Sequence, residues 1–220
     1  MNFEDAVAAR RSVRVFRDGA VPRAAVERAV ALAATAPAPH HSSPWRFVVL
    51  EKPRDKERLA RSMGAAWRED LLSDGLKGGA IKRILDRSHA LLTHSPLAVV
   101  CCAEMSRSHS YPDERRRLAE WSLFAHTVGA ALQTFMVALA AEGIASCWLS
   151  APVFCRAVVR RELGLEGSIE PHALVLAGYA SLGYQPRARP AVDPDDYLIA
   201  PNDSPMSLRR PAEGARIRGC

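Results

Sequence analysis

Residues 119–142, AEWSLFAHTVGAALQTFMVALAAE, decide the fold, because nothing else in the chain is apolar on every side. Ala, Leu, Met and Gln favour helix, and Ser122, His126, Gln133 and Thr134 are too scattered to make one polar face. A helix that is apolar all round is buried all round. At ~1.5 Å rise per residue it spans about 36 Å, close to the width of a domain of this size. That length also suffices to cross a bilayer. However, Glu120, His126, Gln133 and Glu142 dilute the stretch, and Arg115, Arg116 and Arg117 lead into it as one charged turn. The expectation is a central helix wrapped by other elements, those of a second subunit among them, and no membrane span.

Composition sets modest bounds around that helix. With 220 residues, 48% of them hydrophobic, the chain can bury a real core, and one domain with extensions is the simplest organisation. The formal net charge of +6 is carried mainly by Arg. It favours anionic small-molecule ligands such as phosphates and carboxylates, although an Arg-rich genome gives the same balance. No basic run is interleaved with aromatics and no zinc spacing occurs, so no nucleic-acid partner is expected. Cys101, Cys102, Cys147, Cys155 and Cys220 are odd in number, and several sit in apolar runs. That pattern predicts reduced thiols in a cytoplasmic protein rather than a disulfide framework. The opening MNFEDAVAARRSVRVF has early acids and no apolar signal-peptide core, so export is not expected.

Outward from the central helix, the N-terminus reads as a short helix over residues 2–10, with Asn2 as N-cap. It runs into Arg10-Arg11-Ser12-Val13-Arg14 and an extended Val15-Phe16. Three guanidinium groups and a hydroxyl so close together can grip a phosphate from several sides; by composition alone, a solvated basic helix end is the plainer reading. A second helix covers residues 21–35 and stops at the loop APAPHHSSPW, residues 36–45, which three prolines stiffen. A stiff polar loop holds side chains and backbone donors where a ligand needs them. His40 and His41 are adjacent there, but no third and fourth ligand stands at recognisable spacing, so no metal site is expected.

Residues 46–51 read as a strand, and residues 52–73 and 80–92 as helices joined through Gly75, Gly78 and Gly79. Residues 75–92 are thus a candidate lid, or equally a plain surface hairpin. A buried strand over residues 96–103 precedes the central helix, which Asp113 opens and Gly143 ends. Strands follow at 145–150 and, fully apolar beyond His172 and hence internal, at 172–179. Between them the turn Ala151-Pro152-Val153-Phe154-Cys155 enters a helix over 156–163, whose first amides can face a ligand in a crevice. From Ala180 a Pro-rich arm carries Arg187 and Arg189. The expected organisation is a domain over residues 1–200 and a mobile tail over 201–220.

Several common sites are missing. There is no G-x-G-x-x-G after a strand, no G-x-x-x-x-G-K-[ST], no G-x-S-x-G and no H-E-x-x-H. What remains is two arginine clusters, 10–14 and 187–189, and a stiff Pro/His/Ser loop. Arginines from both chain ends can close on one phosphate while a planar apolar ring rests on strand edges, which suits flavin mononucleotide (FMN).

The run RRSVRVF, the 36–45 loop, the long apolar helix and the strand-turn Leu149-Ser150-Ala151-Pro152 before a GY-ending strand resemble the FMN-dependent nitroreductase family over roughly residues 3–190. Within it, APAPHHSSPWRFVVL, WREDLLSDG, SHSYPDERR, WLSAPVFC and DPDDYL are most similar to the flavin domain at the C-terminus of a bifunctional enzyme of deazaflavin coenzyme (F-420) biosynthesis. The γ-glutamyl ligase domain of that enzyme has no counterpart in this sequence. The resemblance implies an α+β fold, with a mostly antiparallel central sheet flanked by helices around the long helix, in an intertwined homodimer.

It further implies that Arg10, Arg11, Ser12 and Arg14 hold the phosphate, ribityl chain and pyrimidine edge of FMN, with Arg187 and Arg189 adding to the phosphate grip. Pro39, His40, His41 and Ser42 would reach the flavin of the other subunit. The turn with Ala151 and Pro152 would bring the backbone amides of Phe154 and Cys155 to the flavin N5. Many nitroreductases carry Glu-Gly where Phe154-Cys155 stand, and the departure favours a specialised substrate. With FMN as cofactor, and NAD(P)H or an F-420-type deazaflavin as second ligand, the implied activity is reduction of a dehydro precursor of the deazaflavin coenzyme. Two alternatives stay open at this point: a broad NAD(P)H-dependent nitro- or quinone reductase, and a non-catalytic flavin- or deazaflavin-binding module.

Overall fold

The computed structural model describes residues 1–199. Helix α1 (Phe3–Ala9) and helix α2 (Arg23–Ala33) come first, then a single 3-10 turn (Pro39–His41) and strand β1 (Trp45–Leu50). Helices α3 (Pro53–Ser73) and α4 (Gly78–Thr93), strand β2 (Leu97–Glu104) and the long helix α5 (Glu114–Ala141) follow. Strand β3 (Ala145–Leu149), the short helices α6 (Ala151–Phe154) and α7 (Arg156–Leu163), and strand β4 (Ile169–Gly178) complete the set. The expected elements are all present, with ends that differ by a few residues.

All strand pairs are antiparallel, in the order β1-β2-β4-β3. β4 is therefore internal, as its unbroken apolar run implies. Alternation along β2 divides the core. Leu97, Val99, Cys101 and Ala103 pack with α2 and α5, while Ala98, Val100 and Cys102 pack with Leu59 and Ala60 of α3, Leu92 of α4 and Val159 of α7. The molecule is thus an α+β sandwich of helices, sheet and helices. Cys101, Cys102, Cys147 and Cys155 are all free thiols, and burial pushes Cys102 up to about 12.

Asp113 caps α5 by accepting the Arg116 N–H at 2.9 Å. The helix runs for 28 residues. Its buried face carries Phe124, Val128, Ala131, Leu132, Phe135, Met136 and Leu139. The opposite face is not covered within one chain: Leu118 is 59% and Leu123 44% exposed. Within one chain α1, α2 and the sheet cover one side of the helix, and the expected cover from a second subunit would fall on the other. α5 is long and apolar enough to span a membrane, and half of its most apolar window is buried inside the protein.

Residues Met1–Pro186 form one compact unit, and the described residues from Arg187 onward belong to a second. In the described part of the second, Asp193 caps a 3-10 turn, Pro194–Asp196, by accepting the Asp195 N–H. The expected tail, 201–220, lies outside the described residues.

Candidate functional site

The arginine segment is fixed by backbone bonds to the sheet. α1 is capped by Asn2, whose Oδ1 accepts the Asp5 N–H at 2.8 Å, and it ends at Arg10. Beyond it Ser12 lies beside Ser146 in a parallel bridge, with the Val13 N–H donating to Ser146 O at 2.9 Å. Further on, Phe16 stands opposite Ala180, and the Arg17 N–H donates to Tyr179 O at 2.9 Å. The segment is thereby sewn from the start of β3 to just past the end of β4. Extended chain alternates its faces. Val13 points inward at 3% exposure with Arg11 half-buried, whereas Ser12 and Arg14 are exposed.

Where this segment meets the end of α5 and the start of β3 there is a cavity of about 190 Å³, lined by Arg10, Arg11, Val13, Ala140, Ile144 and Ser146 among others. Two buried polar atoms have no hydrogen-bond partner, Arg11 Nη1 and Ser146 Oγ. Buried polar atoms are nearly always paired, so two orphans on residues that line one cavity make it a candidate place for a ligand's oxygens. Burial pushes the Cys147 thiol up, while the charges of Arg14 and Arg10 act on it in the opposite direction. Both guanidinium groups therefore bear on the first residues of β3. Guanidinium plus hydroxyl is the donor set that suits a phosphate, and these residues fit the phosphate end of FMN. Arg187 and Arg189 belong to the second unit.

The loop over residues 36–45 is shaped by α5 as well as by its prolines. His40, His41 and Ser43 have φ of 55°, 50° and 46°. Each such non-glycine residue costs about 1–2 kcal/mol. Opposing that cost, Thr127 donates its hydroxyl to Pro37 O, and the Trp45 indole donates to Thr127 Oγ1 at 3.1 Å. His40 Nε2 lies 2.9 Å from Glu120 Oε1, and Arg107 donates to His41 O at 3.3 Å. Ser42 is buried and its hydroxyl donates to Pro39 O at 2.7 Å, so it holds the turn. The side chain of His41 is exposed, while Pro39 and His40 are half-buried.

Sequence reasoning passed over Glu120 as a mere dilution of the apolar helix. It is 5% exposed, and the same Oε1 that meets His40 also accepts the His109 N–H at 2.8 Å. Ligand atoms of His40, His109 and Glu120 lie within 4.8 Å of one another. The two imidazole rings nevertheless stack, 3.8 Å apart and 24° from parallel. Near-parallel rings send their in-plane lone pairs side by side rather than onto one point, so the trio is a hydrogen-bonded node. Thr127 and Ser146 were also missed; a lone polar residue on an otherwise buried face was the available signal for each.

The turn after β3 forms α6, which packs on β4. One expected donor there is already used, since the Cys155 N–H donates to Pro152 O at 3.2 Å. In this chain that amide closes the last turn of α6. The Phe154 side chain is 85% exposed. Next to the turn, Arg156 lies over the Trp121 ring at 5.4 Å, and Trp121 stacks on His172 at 5.3 Å. His172 is 6% exposed and its Nε2 has no partner. Burial, and then the Arg156 charge, lower it to about 4, so it is neutral at pH 7.

The nitroreductase family model matches residues 7–184, and the chain belongs to that family. With that membership it is an oxidoreductase. A protein of Archaeoglobus fulgidus named as an NADH dehydrogenase/NAD(P)H nitroreductase is 26% identical over 191 residues, covering 85% of this chain and 87% of its own. An iodotyrosine deiodinase of Haliscomenobacter hydrossis is 35% identical over 74 residues, which is 28% of this chain and 33% of that protein. Among solved structures, a BluB-like flavoprotein of Clostridium difficile 630 superposes with a TM-score of 0.73 at 20% identity, covering 92% of this chain and 100% of its own. A nitroreductase-like protein of Bacillus cereus gives 0.69 at 15% identity, over 92% and 97%.

Proposed function

We propose that the chain is an FMN-dependent oxidoreductase that works as a homodimer and reduces an anionic dehydro precursor of the deazaflavin coenzyme (F-420) class. The single observation that supports the flavin reading is the pair of buried, unpartnered atoms, Arg11 Nη1 and Ser146 Oγ, of two residues that line one cavity together with Arg10. Arg10 and Arg11 take the phosphate, and Ser12 and Arg14 the ribityl chain and pyrimidine edge. FMN, when bound, supplies the hydride chemistry. The chain's part is to orient the ring and, through Arg14, to stabilise negative charge at the pyrimidine edge of the reduced flavin.

Dimerisation is supported by the uncovered apolar side of α5, with Leu118 and Leu123 exposed. In such a dimer Pro39, His40 and His41 reach the partner's flavin, and the α6 turn offers its own backbone near N5. The replacement of Glu-Gly by Phe154-Cys155 and the net charge of +6 favour a specialised, anionic acceptor.

The test is anaerobic mixing of photoreduced, FMN-loaded protein with the dehydro precursor. Flavin absorbance should recover within the mixing experiment. No recovery, beside fast recovery with a nitrofuran, would instead establish a broad NAD(P)H-dependent nitro- or quinone reductase. The second reading is favoured by the name carried by the Archaeoglobus relative.

A further inference from the structure

We propose that Glu120 is a positioning residue that acts through His40: its buried carboxylate locks the turn that presents Pro39, His40 and His41 to the flavin. The inference rests on the proposed role of that turn in cofactor binding. One oxygen, Glu120 Oε1, meets the His40 ring nitrogen at 2.9 Å and the His109 backbone N–H at 2.8 Å. It therefore ties two separate loops to one position of α5. The His40 ring is clamped as well as tethered, since it stacks on His109 at 3.8 Å and tilts against Phe124 at 6.4 Å.

The lock has something to hold. His40 and His41 occupy the left-handed region, at φ of 55° and 50°, with Ser43 at 46° close behind. Backbone in that region persists only where its surroundings over-determine it. The bonds within the turn, Ser42 hydroxyl and N–H to Pro39 O, close it on itself but do not fix it to the rest of the fold. Thr127 anchors the flanks, through Pro37 and Trp45. From α5, Glu120 reaches the apex with a hydrogen bond, beside the apolar contact of Phe124. A buried carboxylate within an otherwise apolar helix is costly unless it is hydrogen-bonded, and both of the bonds that Glu120 Oε1 accepts come from loop residues.

Full-length wild-type, Glu120→Ala and Glu120→Gln proteins, without added flavin, are compared by hydrogen exchange of the peptide spanning residues 36–45. Loss of hydrogen bonds to a charged group should speed exchange by about tenfold or more in Glu120→Ala. Glu120→Gln, whose amide oxygen still accepts both bonds, should stay within about threefold of wild type. Peptides from β2 should not change. His40→Ala removes the same contact from the half-buried side and should speed loop exchange as Glu120→Ala does, which keeps the test open if the latter fails to fold. FMN titration of the same proteins should show weaker binding in Glu120→Ala by about tenfold, recovered in Glu120→Gln. Unchanged loop exchange in both Glu120→Ala and His40→Ala would overturn the proposal. Equal loosening in Glu120→Ala and Glu120→Gln would overturn it too. If the loop loosens as expected but wild type binds no FMN, the lock stands and the flavin reading fails.

Discussion

Trp45 and Thr127 are 82 positions apart in sequence, and the Trp45 indole N–H reaches Thr127 at two acceptors, the hydroxyl at 3.1 Å and the backbone carbonyl at 3.3 Å. The same hydroxyl donates to Pro37 O, so one threonine holds both flanks of the loop that connects α2 to β1. Thr127 is 4% exposed. Replacing it with valine keeps the shape and removes both hydroxyl bonds, leaving Pro37 O without its donor. Thr127→Val should cost about 1–3 kcal/mol of unfolding free energy. Urea melts of the two proteins check this, and a midpoint unchanged at constant slope would show that the loop is held elsewhere.

A second relation fixes how the segment around Phe16 packs on the end of β4. A Cβ on Gly178 would come within 2.7 Å of Pro96 Cγ, 2.8 Å of Pro96 Cδ and 3.0 Å of Phe16 Cδ1. Proline and backbone-tethered Phe16 have little room to move. Gly178→Ala should therefore destabilise the protein by about 1–3 kcal/mol, as overpacking does elsewhere. A thermal melt at or above the wild-type midpoint would refute the close packing of β4 against these residues.

His172 makes stability depend on acid. Its folded value, about 4, lies below the ordinary 6.5 because burial, and then Arg156, oppose its charge. The unfolded chain binds that proton first. The contribution is thus fully present above pH 6.5 and is lost as pH falls towards 4, amounting to about 3 kcal/mol for the 6%-exposed side chain. His172→Gln should lose less stability than wild type between pH 7 and pH 4. Parallel losses in denaturant melts across that range would contradict the assignment.

The layers of the fold were legible because each rests on a local pattern. The unbroken apolar runs of β2 and β4 required interior strands, Asn2 and Asp113 marked helix starts, and the prolines of residues 36–45 ended α2. The site was legible only in part. That Arg10 to Arg14 would lie beside β3 depends on the Ser12–Ser146 bridge, a contact across most of the chain that no local spacing encodes. The hydroxyl of Ser42, which the resemblance turned towards the partner's flavin, closes its own turn on Pro39 O, a bond that the sequence does not announce. Glu120 read as a blemish in a hydrophobic helix; its meaning needed the positions of His40 and His109. The half-covered α5 was hidden for a different reason, since apolarity on all sides does not say which sides one chain covers.

The central claim is that Arg10, Arg11 and Ser146 receive a phosphate, and FMN and riboflavin differ by that group alone. Flavin fluorescence titrations of the full-length protein with each of them test it most directly. Several charge-assisted hydrogen bonds to the phosphate should make FMN bind at least about 100-fold more tightly than riboflavin. Arg10→Ala should narrow that gap. Equal affinities for the two flavins, or no binding of either, would contradict the account.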